Sequence, residues 1–164
     1  MKHVLPLTYE PKIADVRDGF CTQTIRLKSE SKPKKIGDFI MFHGWEGVSR
    51  HSKWSWRTPY MKITDAFSIR FLKDTSNNTI VLLKEIPSGS DRFHRLTVKE
   101  ADKIACLDGF ATFERMVIQL KKMYGKEIFT TLFQVIRWNP YKEGQLFEES
   151  PEKDCSTRLD DWIK

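Results

Sequence analysis

The stretch TVKEADKIACLDGFATFERMVIQLKKMYGKEIFTTLFQVIRW, residues 97–138, carries two helical patterns and then a strand. Thr97 with Glu100 three residues on has the form of a capping box, in which each side chain serves an N–H left unpaired by the first helical turn. Ala101, Ile104 and Ala105 then fall on one side of the predicted helix. A second helix is predicted from about 112 to 124, where Phe113, Met116, Val117, Leu120 and Tyr124 recur at helical spacing before Gly125 stops it. Those apolar side chains are expected to be core. The run TLFQVIRW, 131–138, reads as the last strand.

Upstream the signals are those of short strands. Thr79 to Leu83 is a compact apolar run after Asn77-Asn78, a pair that tolerates the left-handed backbone of a hairpin turn. Residues 60–71 alternate through Met61, Ile63, Phe67, Ile69 and Phe71, and 38–42 form another apolar run opened by Gly37. Residues 22–26 alternate as a short strand, and 28–35 form a polar loop. Before them comes a short strand or turn from Leu5, then a brief helix over 11–17 ended by Gly19. Several short strands, two late helices and one more strand point to an α+β fold, a small β-barrel of mixed strands with flanking helices.

Composition sets the outer bounds. The 164 residues suit one domain able to bury a core, with 40% apolar, 12% aromatic and 30% charged residues. No apolar run approaches the roughly 18 residues of a membrane span, and the first residues lack a signal-peptide pattern, so a cytoplasmic protein without membrane attachment is expected. Cys21, Cys106 and Cys155 are odd in number and scattered, which argues against a disulfide scaffold or a thiolate zinc site. The four histidines lack tight metal-ligand spacing, so neither metal nor cofactor is expected.

Charge is unevenly distributed. The net charge is +6, yet residues 145–164 hold six acids and three bases, so the other 144 residues carry +9. Residues 28–62 alone hold eight Lys or Arg against three acids. A basic body suits a polyanionic partner, because Lys and Arg contacts to phosphates release counterions. A merely solvated basic surface has the same composition. The division expected is a domain over 1–141 with an acidic tail over 142–164.

Three segments resemble the ASCH family, whose fold is related to the PUA domain. Gly19-Phe-Cys-Thr-Gln-Thr-Ile-Arg26 is similar to the family's early motif of Gly, any residue, Lys, then Thr, Thr and Arg. Lys35-Ile-Gly-Asp38 resembles its Gly-Asp step. Leu107-Asp-Gly-Phe110 with Glu114, then Tyr124 and a strand ending Ile136-Arg-Trp138, resembles its third segment. The resemblance covers about residues 7–138 and implies a PUA-like barrel with one cleft. Some members remove the acetyl group from acetylated cytidine, and others are reported as ribonucleases. The implied catalytic positions read here as Cys21, Thr24, Arg26 and Asp108. Cysteine in place of the family lysine is a large departure, since it works only as an activated thiolate and more often is buried filler. Arg26 offers a permanently charged fork for a phosphate or base edge. Asp108, read as standing just before a helix, has the alternative role of an N-cap.

The stretch Arg50-His-Ser-Lys-Trp-Ser-Trp-Arg57 interleaves bases with aromatics. Aromatic faces stack on unpaired bases while Lys and Arg track phosphates, so Lys34, Lys35, Arg50, Lys53, Trp54, Trp56 and Arg57 join Arg26 as nucleic-acid-binding candidates. The competing reading packs Trp54 and Trp56 on a sheet face with the basic residues solvated. The expectation is an RNA-binding or single-strand-binding domain with a cleft for a base or modified nucleoside. A hydrolase acting on such a nucleoside or on RNA, and a protein-interaction module, are the other readings.

Overall fold

The computed structural model describes residues 1–45, 54–74, 79–86 and 92–139. Over these the chain is α+β, with an eight-stranded mixed sheet and three α-helices. Strand β1 (Lys2–Pro6) runs parallel to β3 (Phe39–Trp45), and β4 (Trp54–Arg57) lies antiparallel to β3. The long β5 (Met61–Asp74) pairs with β3 through Met61 and Lys62. It then pairs antiparallel with β8 (Phe133–Trp138) and, further along, with β6 (Thr79–Glu85). An irregularity between Ile63 and Asp65 falls where β5 exchanges β3 for β8, as expected of a bulge that bends a strand. The strand β7 (Phe93–Arg95) borders β6, and β2 (Gln23–Leu27) borders β8.

Two cores result. The larger packs the β5–β6–β8 face under α2 (Val98–Leu107) and α3 (Phe113–Tyr124), with Ile69, Phe71, Ile104, Met116, Leu120 and Phe133 buried. The smaller packs β3, β5 and the end of β8 against α1 (Glu10–Arg17), through Val16, Ile40, Phe42, Ile63 and Trp138. Val135 and Ile136, neighbours on β8, point into different cores, as successive residues of a strand must. Strand β8 is therefore shared by both.

The helices follow their sequence signals. Thr97 and Glu100 form the expected capping box, and Thr112 caps α3 by accepting from the Arg115 N–H. Asp102 on α2 accepts from the Phe113 N–H at 2.7 Å, which ties the α2–α3 corner together. By contrast, α1 has eight residues and no side-chain cap, well below the length at which a helix persists alone, so tertiary contacts hold it.

The pairings trace an open sheet, and closure into the expected barrel is not among them. Where β1 and β2 approach, a side chain bridges them: Arg26 donates to the Pro6 carbonyl. The strand or turn expected from Leu5 is the end of β1, which begins three residues earlier, while tip strand β7 and the 3-10 segment Gly125–Phe129 lie beyond the sequence reading. The Asn77-Asn78 turn and the acidic tail over 142–164 lie outside the described residues.

Candidate functional site

Between the two cores, α1, β2 and the end of α2 bring four polar side chains together. Lys12 and Val16 are one helical turn apart and both buried, so the face of α1 that packs inward carries a lysine. Its Nζ lies 2.7 Å from Asp108 Oδ1 and donates to Thr24 Oγ1 at 3.4 Å. Thr24 and Arg26, two residues apart on β2, share a strand side. These four line a cavity of about 50 Å³, with Tyr9, Phe110, Met123 and Tyr124 also in its wall. That space holds a few water-sized groups, enough for an acyl group and a water.

Asp108 is where the sequence reading needs correction. It does not precede α3 as an N-cap; it is the C-cap of α2, and Thr112 takes the N-cap role. A helix C-terminus repels a carboxylate, so nothing about local helix stability favours an acid here. The side chain is nearly fully buried. Burial pushes its pKa up to about 6, against the pull of Lys12 and Arg26 and of the Ile25 N–H. Its Oδ1 lies 2.7 Å from the Lys12 ammonium, so the charge of the pair is held at close range inside the fold. Gly109 follows at φ +90, a backbone that favours glycine, while a Cβ there would make only ordinary contacts with Asp15, Cys21 and Lys12.

Around this pair the charges are strongly confined. Desolvation lowers the Arg26 pKa while Tyr124 and Asp108 raise it, and the guanidinium remains charged. Burial raises the Tyr124 pKa, so its phenol stays protonated. Desolvation and the nearby Arg26 lower that of Lys34.

Cys21 is placed otherwise. It is buried in the smaller core, and its thiol donates to the Gln23 and Leu107 carbonyls at 3.2 and 3.4 Å. A donating thiol is protonated, and it does not line the cavity. The cavity's lysine comes instead from α1, nine positions earlier in the chain. Sequence reasoning missed Lys12; its one signal is a basic residue a helical turn before the apolar Val16. Cys21 is a free thiol.

No protein-family model, curated protein or solved structure matches the chain. Among the described residues no group of three or more His, Cys, Asp or Glu converges as a metal site would require, and no helix is long and apolar enough to cross a membrane.

The nucleic-acid candidates divide. Lys34 stands near Arg26, and Lys35 is exposed. Arg57 is exposed and pairs in register with His43, which in turn pairs with Pro6, the acceptor of the Arg26 bond. Two strand spacings, about 10 Å, thus separate the Arg57 backbone from β1 beside the cavity. Trp56 is half-buried against the smaller core and lies over Gly44, where a Cβ would come within 2.1 Å of its indole nitrogen. That is packing, as the competing reading had it. Arg50, Lys53 and the Trp54 side chain lie outside the described residues.

Proposed function

We propose that this chain handles nucleosides, free or within RNA, as a PUA-like protein of the ASCH kind, and that its cavity hydrolyses an amide carried on the base. The observation that supports this is the buried Lys12–Asp108 pair beside Thr24 and Arg26 in a cavity of acyl-group size. A lysine that the early motif lacks is supplied by α1. The PUA-like barrel and the family membership belong to this same proposal.

The chemistry assigns one role to each group. The acyl carbonyl enters toward Lys12 and Arg26, whose positive charges stabilise the oxyanion that forms there. A water held by Asp108 adds to the carbonyl carbon as Asp108 accepts its proton, a task suited to a carboxylate with a raised pKa. Thr24, accepting from Lys12, orients the ammonium. The C–N bond then breaks, the proton passes from Asp108 to the departing exocyclic nitrogen, and a free carboxylic acid and the amino base leave.

The test is a panel of acylated nucleosides, acetylated cytidine included, with release of the acid followed directly. Turnover by the native chain that falls at least 100-fold in Asp108→Asn supports the reading; an inert panel with a well-folded protein removes it. A second reading, RNA binding without chemistry, draws on Lys34, Lys35 and Arg57 standing outside the cavity. It expects RNA affinity to fall with salt at about −0.7 per neutralised phosphate in the log–log slope.

A further inference from the structure

The outer side of the sheet at β1, β3 and β5 carries a feature that the cavity does not use. Lys2 on β1, Phe39 on β3 and Lys62 on β5 are paired in register across three adjacent strands. Residues directly opposite one another share a face, with Cβ atoms about 5 Å apart. All three are exposed, Phe39 by 39%, although the next residue, Ile40, is wholly buried in the smaller core. Tyr60, 41% exposed, lies beside them with the Lys2 ammonium 4.9 Å from its ring centre. The neighbouring acid, Asp38, is engaged by the Met1 ammonium and by His3, so its charge is already compensated. The row is thus aromatic at its centre and positive on both flanks.

From this we infer that the exposed end of this face, formed by Lys2, Phe39, Tyr60 and Lys62, is a track for single-stranded RNA, with bases on Phe39 and Tyr60 and phosphates on Lys2 and Lys62. The inference rests on the RNA reading above and adds a surface to it. An aromatic face accepts any base, and flanking ammonium groups at strand spacing track a backbone. Strand β1 links this track to the cavity. From Lys2 to Pro6 it spans about 13 Å, Pro6 holds Arg26, and Leu7, Thr8 and Tyr9 line the cavity wall. An RNA on the track therefore runs toward the site where one of its bases is processed. Duplex RNA does not fit this chemistry, because its bases are already stacked on one another.

The experiment uses the full chain with a fluorescein-labelled uridine 12-mer, the same sequence as a duplex, inorganic polyphosphate and anionic lipid vesicles. Phe39→Ala is expected to weaken binding of the 12-mer roughly 5- to 100-fold, with Phe39→Tyr restoring it. Lys2→Ala and Lys62→Ala should each reduce the salt slope by about 0.7. Polyphosphate and duplex affinities should not respond to Phe39→Ala. An unchanged 12-mer affinity in Phe39→Ala, with loss in Arg26→Ala, overturns the track while leaving RNA binding intact. Vesicle binding that depends on Phe39 in place of RNA binding overturns it in favour of a lipid surface. No 12-mer binding at low salt overturns both the track and the RNA reading. Hydrolysis of a free acylated nucleoside is unaffected by Phe39→Ala, so the cavity's failure and the track's failure give different results.

Discussion

Asp108 and Asp38 are both carboxylates facing cations, and they have opposite characters. Asp38, just before β3, meets the Met1 ammonium and His3 and accepts from the Lys35 N–H, and these hold its pKa well below the usual carboxylate range. Asp108 has the cationic neighbours Lys12 and Arg26, yet burial outweighs them and lifts its pKa to about 6. The difference lies in hydration and in donors aimed at the oxygens, not in the number of positive charges nearby. An acid whose charge is fully served fastens structure, here the start of β1 to the turn before β3. An acid whose charge is under-served, held in a cavity wall, is the group from which the proposed chemistry starts.

The hardest way to break that contrast is to remove one member of the buried pair. Lys12→Met leaves Asp108 buried without its nearest cation, and breaking a buried pair costs about 3–5 kcal/mol. Because α1 has no side-chain cap, the loss should also loosen that helix. Urea unfolding should show this drop, and the double variant Lys12→Met/Asp108→Leu should recover most of it while remaining inactive. A double variant no more stable than Lys12→Met would mean that the pair itself stabilises the fold.

Titration sharpens the same comparison, with opposite signs at the two acids. Between about pH 4 and pH 6 the folded chain binds a proton at Asp108 that the unfolded chain has released, so stability falls as pH rises through that window. A rise from 3.8 to about 6 corresponds to roughly 3 kcal/mol at most. Asp38 acts the other way: its contribution is present above pH 4 and is lost as pH falls toward its depressed pKa. Asp108→Asn should flatten the higher limb of the stability profile, and Asp38→Asn the lower one. Hydrolysis should rise with pH through about 6, since the base must be ionised. A rate independent of pH from 5 to 8 would take the proton-accepting role from Asp108.

What could be read in the sequence was mostly local. The α2 capping box, the α3 stripe and the alternation of β5 depend on near neighbours, and they appear where the residues place them. Strand β1 depends on parallel pairing with β3 some 37 positions away, which leaves no periodic trace in five residues. Asp108-Gly109 was readable as a boundary but ambiguous in direction, because a glycine after one helix and an acid before the next give the same two letters. Thr24, Arg26 and Asp108 were found because a motif pointed to them. Lys12 was not, since a lysine near a helix start reads as solvated until the acid that buries it is placed beside it.

Cys21 supplies the smallest effect and the cleanest division between position in a motif and position in space. It stands where the motif resemblance would place a lysine, but its thiol donates to two carbonyls and it belongs to the core with Val16, Ile40 and Ile136. Replacing it with Ala removes one sulfur from a packed core and two weak hydrogen bonds, which should cost roughly 1–2 kcal/mol of stability. Activity at a temperature where the variant is folded should remain within a factor of two or three, because no cavity contact is lost. Thiol-directed reagents should modify Cys21 slowly in the native chain and quickly once it is unfolded, as burial withholds the thiolate. Loss of turnover in a folded Cys21→Ala, with Lys12→Met still active, would reverse the assignment. The motif position would then hold the nucleophile, and the buried pair would be scaffold.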